Sequence, residues 1–181
     1  MKIIETGIKD LVVLEPTVYE DERGYFFESY SDQKFRSERL NYVFVQDNES
    51  LSKKFVLRGF HYQVPPYAQT KLVRVIKGSA QDVVIDLRPD SSTHLQSYSV
   101  ILSEQNKKQM LIPRGFAHAF LVLEDDTIFS YKCYNFYSQK HEGGLQVKDP
   151  NIKVDWELPM DKIILSEKDQ ALPMLENILK F

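Results

Sequence analysis

Short segments rich in β-branched and aromatic residues recur along this chain, and turn signals separate them. They cover residues 11–18, 25–30, 43–46, 71–76, 83–87, 98–102, 116–123 and 127–136. Between them stand Asp21-Glu22-Arg23-Gly24, Val64-Pro65-Pro66, Lys77-Gly78-Ser79, Arg88-Pro89-Asp90-Ser91-Ser92 and Glu124-Asp125-Asp126. Many short strands at such spacing predict an antiparallel sandwich or barrel. Residues 31–40 read as a polar peripheral helix. Residues 169–179 carry Leu172, Leu175, Ile178 and Leu179 near helical spacing and predict a C-terminal helix, with Pro173 tolerated only in its first turn.

The chain has 181 residues, enough for one domain with a full core, and no repeat or linker divides it. A formal net charge of −3 gives no reason to expect a nucleic-acid partner. The opening residues are too short and too acidic for a signal peptide, and no apolar run approaches the ~20 residues that cross a bilayer, so no membrane partner is expected. The single cysteine, Cys133, rules out an internal disulfide and fits a reduced, cytoplasmic thiol.

Against this apolar background, Val56-Leu57-Arg58-Gly59-Phe60-His61-Tyr62-Gln63 and Lys71-Leu72-Val73-Arg74-Val75 embed basic groups in strand-like sequence. Ile112-Pro113-Arg114-Gly115-Phe116-Ala117-His118-Ala119-Phe120 adds a second histidine. Such groups are costly inside a sheet unless they face a wet cavity or find partners. Arg58 and His61, three apart, would lie on opposite faces of a regular strand, and a bulge at Gly59 would bring them together. Tyr131 and Tyr137 share a parity, as do Phe116, His118 and Phe120.

A neutral buried histidine bonded to backbone is the plain reading of a lone His61. Arg58 and Lys71 close by favour a general base instead, since imidazole titrates near ~6.5. A base works better when a carboxylate orients its second nitrogen, and Asp169 is one candidate. Lys71 is either a strand-end surface lysine or an oxyanion stabiliser. Tyr131 is either a core tyrosine or a proton donor, and Tyr137 could stack on a flat ring.

Proline, one residue, glycine, two residues and histidine at Pro113–Gly115–His118 match the second half of the cupin pattern. The first half lacks its second histidine and its glutamate. Two histidines and a lysine are a poor metal set, so no metal is expected.

Across nearly its whole length the chain resembles the dTDP-4-dehydrorhamnose 3,5-epimerase family, metal-free cupins of nucleotide-sugar metabolism. The resemblance rests on an ordered set. It comprises Asp21-Glu22-Arg23-Gly24-Tyr25-Phe26-Phe27-Glu28-Ser29, Phe44-Val45-Gln46-Asp47-Asn48, the blocks around Arg58, Lys71 and His118, Tyr131-Lys132, Asn135-Phe136-Tyr137, Asp155-Trp156 and Leu165-Ser166-Glu167-Lys168-Asp169. It implies a mainly β, cupin-type jelly-roll sandwich, a homodimer, and no metal or cofactor. It also implies inversion of carbons 3 and 5 of dTDP-4-dehydro-6-deoxy-D-glucose, towards dTDP-L-rhamnose and cell-surface polysaccharide. By that likeness His61 is the base, Asp169 its partner, Lys71 the enolate stabiliser and Tyr131 the acid on the opposite ring face. Tyr137 would stack on thymine. Arg23, Glu28, Gln46, Asp47, Asn48, Arg58, His118, Glu142 and Lys168 stand at positions that bind nucleotide, diphosphate or sugar, with Arg23 and Glu28 reaching the partner subunit's site.

Departures from the family pattern are Phe60, Thr70, Arg114, Ala119 and the pair Val147-Lys148. Thr70 and Val147 are those that could reshape the sugar pocket. Open alternatives are a 3- or 5-epimerase acting on a related 4-keto-6-deoxy sugar, a 3,4-ketoisomerase, a silent sugar-nucleotide binding cupin, and a metal-dependent cupin oxygenase.

Overall fold

The protein is described by a computed structural model covering residues 1–181. In chain order the strands are β1 (Lys2–Glu5), β2 (Val12–Glu15), β3 (Tyr19–Asp21), β4 (Gly24–Phe26), β5 (Gln46–Ser52), β6 (Leu57–Gln63), β7 (Lys71–Lys77), β8 (Ser79–Asp86), β9 (Ser97–Ser103), β10 (Gln109–Ile112), β11 (Phe116–Val122), β12 (Thr127–Cys133) and β13 (Glu142–Gly144). Two short helices, α1 (Asp32–Ser37) and α2 (Glu167–Gln170), lie at the periphery. A six-stranded sheet runs β1-β2-β10-β7-β12-β5, a five-stranded sheet runs β13-β6-β11-β8-β9, and β3 pairs only with β4. The ladders are antiparallel, as the short strands predict.

Strand alternation builds the interior. Val73, Val75 and Phe129 of the first sheet meet Val84, Phe116 and Phe120 of the second in one buried cluster. The rings of Phe120 and Phe129 stack across the two sheets with centroids 3.9 Å apart. The outer face of the five-stranded sheet carries Phe60, Val83, Ile85 and Leu121, and C-terminal residues including Trp156, Leu165 and Ile178 cover it. The outer face of the six-stranded sheet carries Leu14, Leu72 and Leu111, which Phe35 of α1 covers.

The predicted C-terminal helix over 169–179 does not form. α2 ends at Gln170, and a single 3₁₀ turn follows at Leu175–Asn177. Pro173 has no N–H to donate, and its carbonyl accepts from Gln146 N–H at 2.9 Å, outside any helix. Leu175 and Ile178 still pack on the core, so their spacing reports an irregular segment with one apolar side. The peripheral helix near 31–40 is present as α1, capped by Ser31. The strand expected at 43–46 instead begins at Gln46 and runs through the polar residues to Ser52, and the one expected at 25–30 stops at Phe26. β12 ends at Cys133, so Tyr137 lies beyond the strand and its parity with Tyr131 has no meaning.

Asp86 ends β8 fully buried and anchors the following loop. It accepts from Arg88 Nε and Nη2, both at 2.8 Å, and from Ser91 Oγ at 2.6 Å and Thr93 Oγ1 at 2.7 Å. Burial pushes its carboxyl up, but these bonds outweigh burial and bring it down to about 2. Its folded-state pKa lies below its unfolded one, so the stabilisation is complete above about pH 4 and is lost as pH falls towards the folded value. Urea unfolding of Asp86→Asn is expected to show a loss of about 2 kcal/mol at neutral pH, shrinking as pH falls towards that of the folded carboxyl. An equal loss at all pH values would show that packing, and not the charge, is what Asp86 supplies.

Candidate active site

A cavity of about 470 Å³ opens between the two sheets, a size suited to a small organic ligand. β5, β6, β7, β11 and β12 supply its walls, and Tyr137, Glu142 and the start of α2 supply its rim. The bulge expected near Gly59 is present. His118 pairs with His61 while Phe120 pairs with Arg58, so β6 carries one extra residue against β11. Gly59 has φ 120°, and a Cβ there would lie 2.5 Å from the His118 carbonyl oxygen. Only glycine fits that approach, and Arg58 and His61 both line the cavity.

His61 Nε2–H donates to Asp169 Oδ1 at 2.7 Å. Asp169 is buried, and its other oxygen accepts from Ser166 Oγ at 2.8 Å. Ser166 also caps α2, taking the Asp169 backbone N–H at 3.1 Å, so the helix start fixes the carboxylate. Burial pushes the Asp169 carboxyl up, but the bonds from His61 and Ser166 prevail and hold it below its ordinary range. A charged carboxylate takes the Nε2 proton as acceptor, which leaves the lone pair on Nδ1. That Nδ1 is buried without a hydrogen-bond partner, 3.6 Å from Glu142 Oε1. The imidazole is held in the tautomer and orientation of a general base.

Tyr131 faces the cavity from the opposite sheet, on β12. Burial, with the nearby Cys133 and Glu142 adding to it, pushes its phenol up despite Arg58, so it keeps its proton at neutral pH. Lys71 lies 5.7 Å from the Tyr131 ring centre. Desolvation pulls its ammonium down from the ordinary value, against the charges of Cys133, Asp82 and Glu142. A half-buried cation of this kind stabilises an oxyanion more than one in open solvent does, because less water screens it.

Of the remaining predicted residues, Gln46, Asn48, Arg58, His118, Tyr137, Glu142 and Lys168 line the same cavity. Arg58 Nε donates to Ser52 Oγ at 3.1 Å, and Gln46 Nε2 donates to Asn48 Oδ1 at 2.9 Å. Glu142 ties the rim together, accepting from Tyr137 OH at 2.9 Å and from Lys168 Nζ at 2.7 Å. Three predicted residues are elsewhere. Asp47 points out of the opposite face of β5 and pairs with Lys132 at 2.9 Å, because alternation sends neighbours of Gln46 and Asn48 outward. Arg23 is 85% exposed and pairs with Asp21, and Glu28 pairs with Lys34. Both lie on or beside the β3–β4 hairpin, away from this cavity. Thr70 and Val147, the departures that could have reshaped the pocket, are buried and do not line it.

The sequence reading missed Ser166, which orients Asp169, and Asp82, which lies under His118. Both left signals: a serine three residues before an acidic residue, and an aspartate at the head of Val83-Val84-Ile85. No three His, Cys, Asp or Glu side chains come together in a way that could hold a metal ion.

A family model described as dTDP-4-dehydrorhamnose 3,5-epimerase matches residues 5–177. The chain is 45% identical to the dTDP-4-dehydrorhamnose 3,5-epimerase of Methanothermobacter thermautotrophicus, over 97% of this chain and 96% of that one. The solved epimerase of the same name from Elizabethkingia anophelis superposes with a TM-score of 0.93 at 48% identity, over 97% of both chains. The Legionella pneumophila dTDP-6-deoxy-D-glucose-3,5-epimerase, solved with dTDP-4-keto-L-rhamnose, gives 0.91 at 44% identity, over 97% of this chain and 93% of that one. By that model, which matches most of the chain, and by these relatives of the same fold, the chain belongs to the dTDP-4-dehydrorhamnose 3,5-epimerase family.

Proposed function

We propose that the whole chain acts as one catalytic unit that inverts carbons 3 and 5 of dTDP-4-dehydro-6-deoxy-D-glucose, with His61 as base and Tyr131 as acid. The carrying observation is the His61–Asp169 bond on one sheet with the protonated Tyr131 on the other. The 4-keto group acidifies the protons on both neighbouring carbons. His61 Nδ1 takes one of them, and Asp169 balances the imidazolium that forms. The electron pair moves to the keto oxygen, where Lys71 meets the developing charge. Tyr131 then gives its proton to the other face of the carbon, and solvent exchange resets the phenol and the imidazole. Inversion needs two groups of different protonation on two faces, and these two meet that need. Tyr137, half-exposed at the rim, is placed to stack on the base of the nucleotide, with Arg58 and Lys168 for its phosphates.

The active form in this reading is a homodimer. Tyr19, Tyr25 and Phe26 of the β3–β4 hairpin are each more than half exposed, an aromatic surface suited to a second copy. The hairpin would carry Arg23 and Glu28 into the partner's cavity. The buried thiol of Cys133 supports a cytoplasmic setting.

Incubation with dTDP-4-dehydro-6-deoxy-D-glucose in deuterated water, followed by proton NMR, is expected to show solvent deuterium at both carbons with inversion. A chelator should leave the rate unchanged, and His61→Ala should reduce exchange at both carbons by roughly a hundredfold or more. Exchange at one carbon only would make the protein a mono-epimerase. Loss of activity on chelation, restored by a divalent ion, would overturn the acid–base reading. The dimer gives a separate expectation. Arg23→Ala and His61→Ala chains, each inactive alone, should recover about a quarter of the parent activity when refolded together, since half the sites in mixed dimers are intact. No recovery despite mixed dimers would place Arg23 in its own subunit's site, and an Arg23→Ala chain active alone would place it outside any site.

A further inference from the structure

The ring nitrogen left free on His61 is covered in this structure. Nδ1 is buried and makes no hydrogen bond, although the side chain as a whole keeps 27% of its surface exposed. A carbon must come to about 3–3.5 Å from that nitrogen before its proton can move. Glu142 Oε1 already stands 3.6 Å away, within contact range, and takes room that the carbon needs. Two rim residues hold Glu142 there. Tyr137 OH donates to Oε2 at 2.9 Å, and Lys168 Nζ donates to Oε1 at 2.7 Å. The backbone of Glu142 is fixed by the β13–β6 ladder, in which Glu142 pairs with Gln63 and Gly144 with His61. A Cβ on Gly143 would fall 2.3 Å from a carbon of the Tyr62 ring, so the strand has no slack. What can move is the Glu142 side chain, once both clasps let go. The clasps are the two residues placed to meet the nucleotide, Tyr137 for its base and Lys168 for its phosphates.

Resting on the epimerase reading, we infer that Glu142 is a specificity-determining residue: it covers the base His61 in the free protein, and a nucleoside diphosphate uncovers that base by drawing Tyr137 and Lys168 away. Stacking on the nucleotide base turns the Tyr137 ring out of its bond to Oε2. A diphosphate draws Lys168 from Oε1, because it offers more negative charge than one carboxylate. Glu142 then has neither donor and lies beside an anion, and like charges drive its side chain from the ring. A free 4-keto sugar brings neither base nor phosphate, so it meets a covered histidine. The nucleotide thus raises the rate of proton removal as well as the affinity, and substrates are told apart by whether they open the base.

The test reads His61 directly with diethyl pyrocarbonate, which acylates free imidazole nitrogens, and follows the His61 peptide by mass spectrometry. Nε2 is committed to Asp169, so the rate reports Nδ1. Parent His61 should react slowly alone, and about tenfold or more faster with saturating dTDP, which leaves the place of the sugar empty. Glu142→Ala should react at the faster rate without dTDP and gain nothing from it. In deuterated water the same variant should exchange protons of free 4-dehydro-6-deoxy-D-glucose faster than the parent does. A residue that only binds nucleotide would leave that rate unchanged or lower it, and either result would overturn the proposal. Protection of parent His61 by dTDP contradicts it too, as does equal acylation of the parent and a folded Glu142→Ala protein. If that variant does not fold, Tyr137→Phe decides: it removes one clasp, and acylation of its His61 at the parent rate sinks the proposal. Failure of the parent to exchange deuterium into the dTDP-linked sugar would overturn the functional reading instead, and the acylation rates would still decide what Glu142 covers.

Discussion

The hydrogen bond between His61 and Asp169 joins residues 108 positions apart, and much of the architecture serves to make it. His61 reaches the cavity only because β6 bulges at Gly59. Asp169 reaches it only because residues 152–181 wrap the outer face of the five-stranded sheet and return at α2. That wrapping is driven by burial of Trp156, Leu165, Leu175 and Ile178 against Phe60, Val83 and Leu121. The apolar back of the sheet thus positions a polar contact at its front edge. A carboxylate brought in this way does two things at once. It orients the ring, and it stabilises the charged imidazolium more than the neutral imidazole, which a base requires.

The two sheets divide the chemistry. The five-stranded sheet carries both histidines and their carboxylates, except that Asp169 comes from the C-terminal wrap. The six-stranded sheet carries Lys71 and Tyr131. A flat sugar ring between the sheets would present one face to each. Burial tunes the second sheet's groups in useful directions, since the Tyr131 phenol is held protonated and desolvation pulls the Lys71 ammonium down from its ordinary value. The stacked Phe120 and Phe129 fix the spacing of the sheets directly beneath. Truncating either ring would loosen the distance between base and acid as well as the core.

Much of this was legible in the sequence, and the reasons differ by element. The strands around Lys71, Phe116 and Thr127 were readable because β-branched runs bounded by turns have little alternative. The polar strand Gln46–Ser52 was not readable, because its inward side faces the cavity and shows no apolar alternation. The C-terminal segment mimicked a helix because one-sided burial produces similar spacing whether or not the backbone is helical. Gly59 could be read because charged residues on both sides of a strand glycine make sense only with a bulge. Alternation turns Asp47 outward to Lys132, and a motif carries no face assignment that would tell it from Gln46 and Asn48. The hairpin residues Arg23 and Glu28 lie away from this chain's own cavity, and a motif does not say which cavity it serves.

The central claim is that His61 and Tyr131 work on opposite faces, and Tyr131→Phe tests it most directly. The variant keeps the ring and deletes the proton donor. In deuterated water, the base should still form the enolate, so deuterium should enter the substrate while net inversion, above all at carbon 5, falls sharply. Inversion of both centres at the parent rate would contradict the account, because the proton on the second face would then come from water or another group.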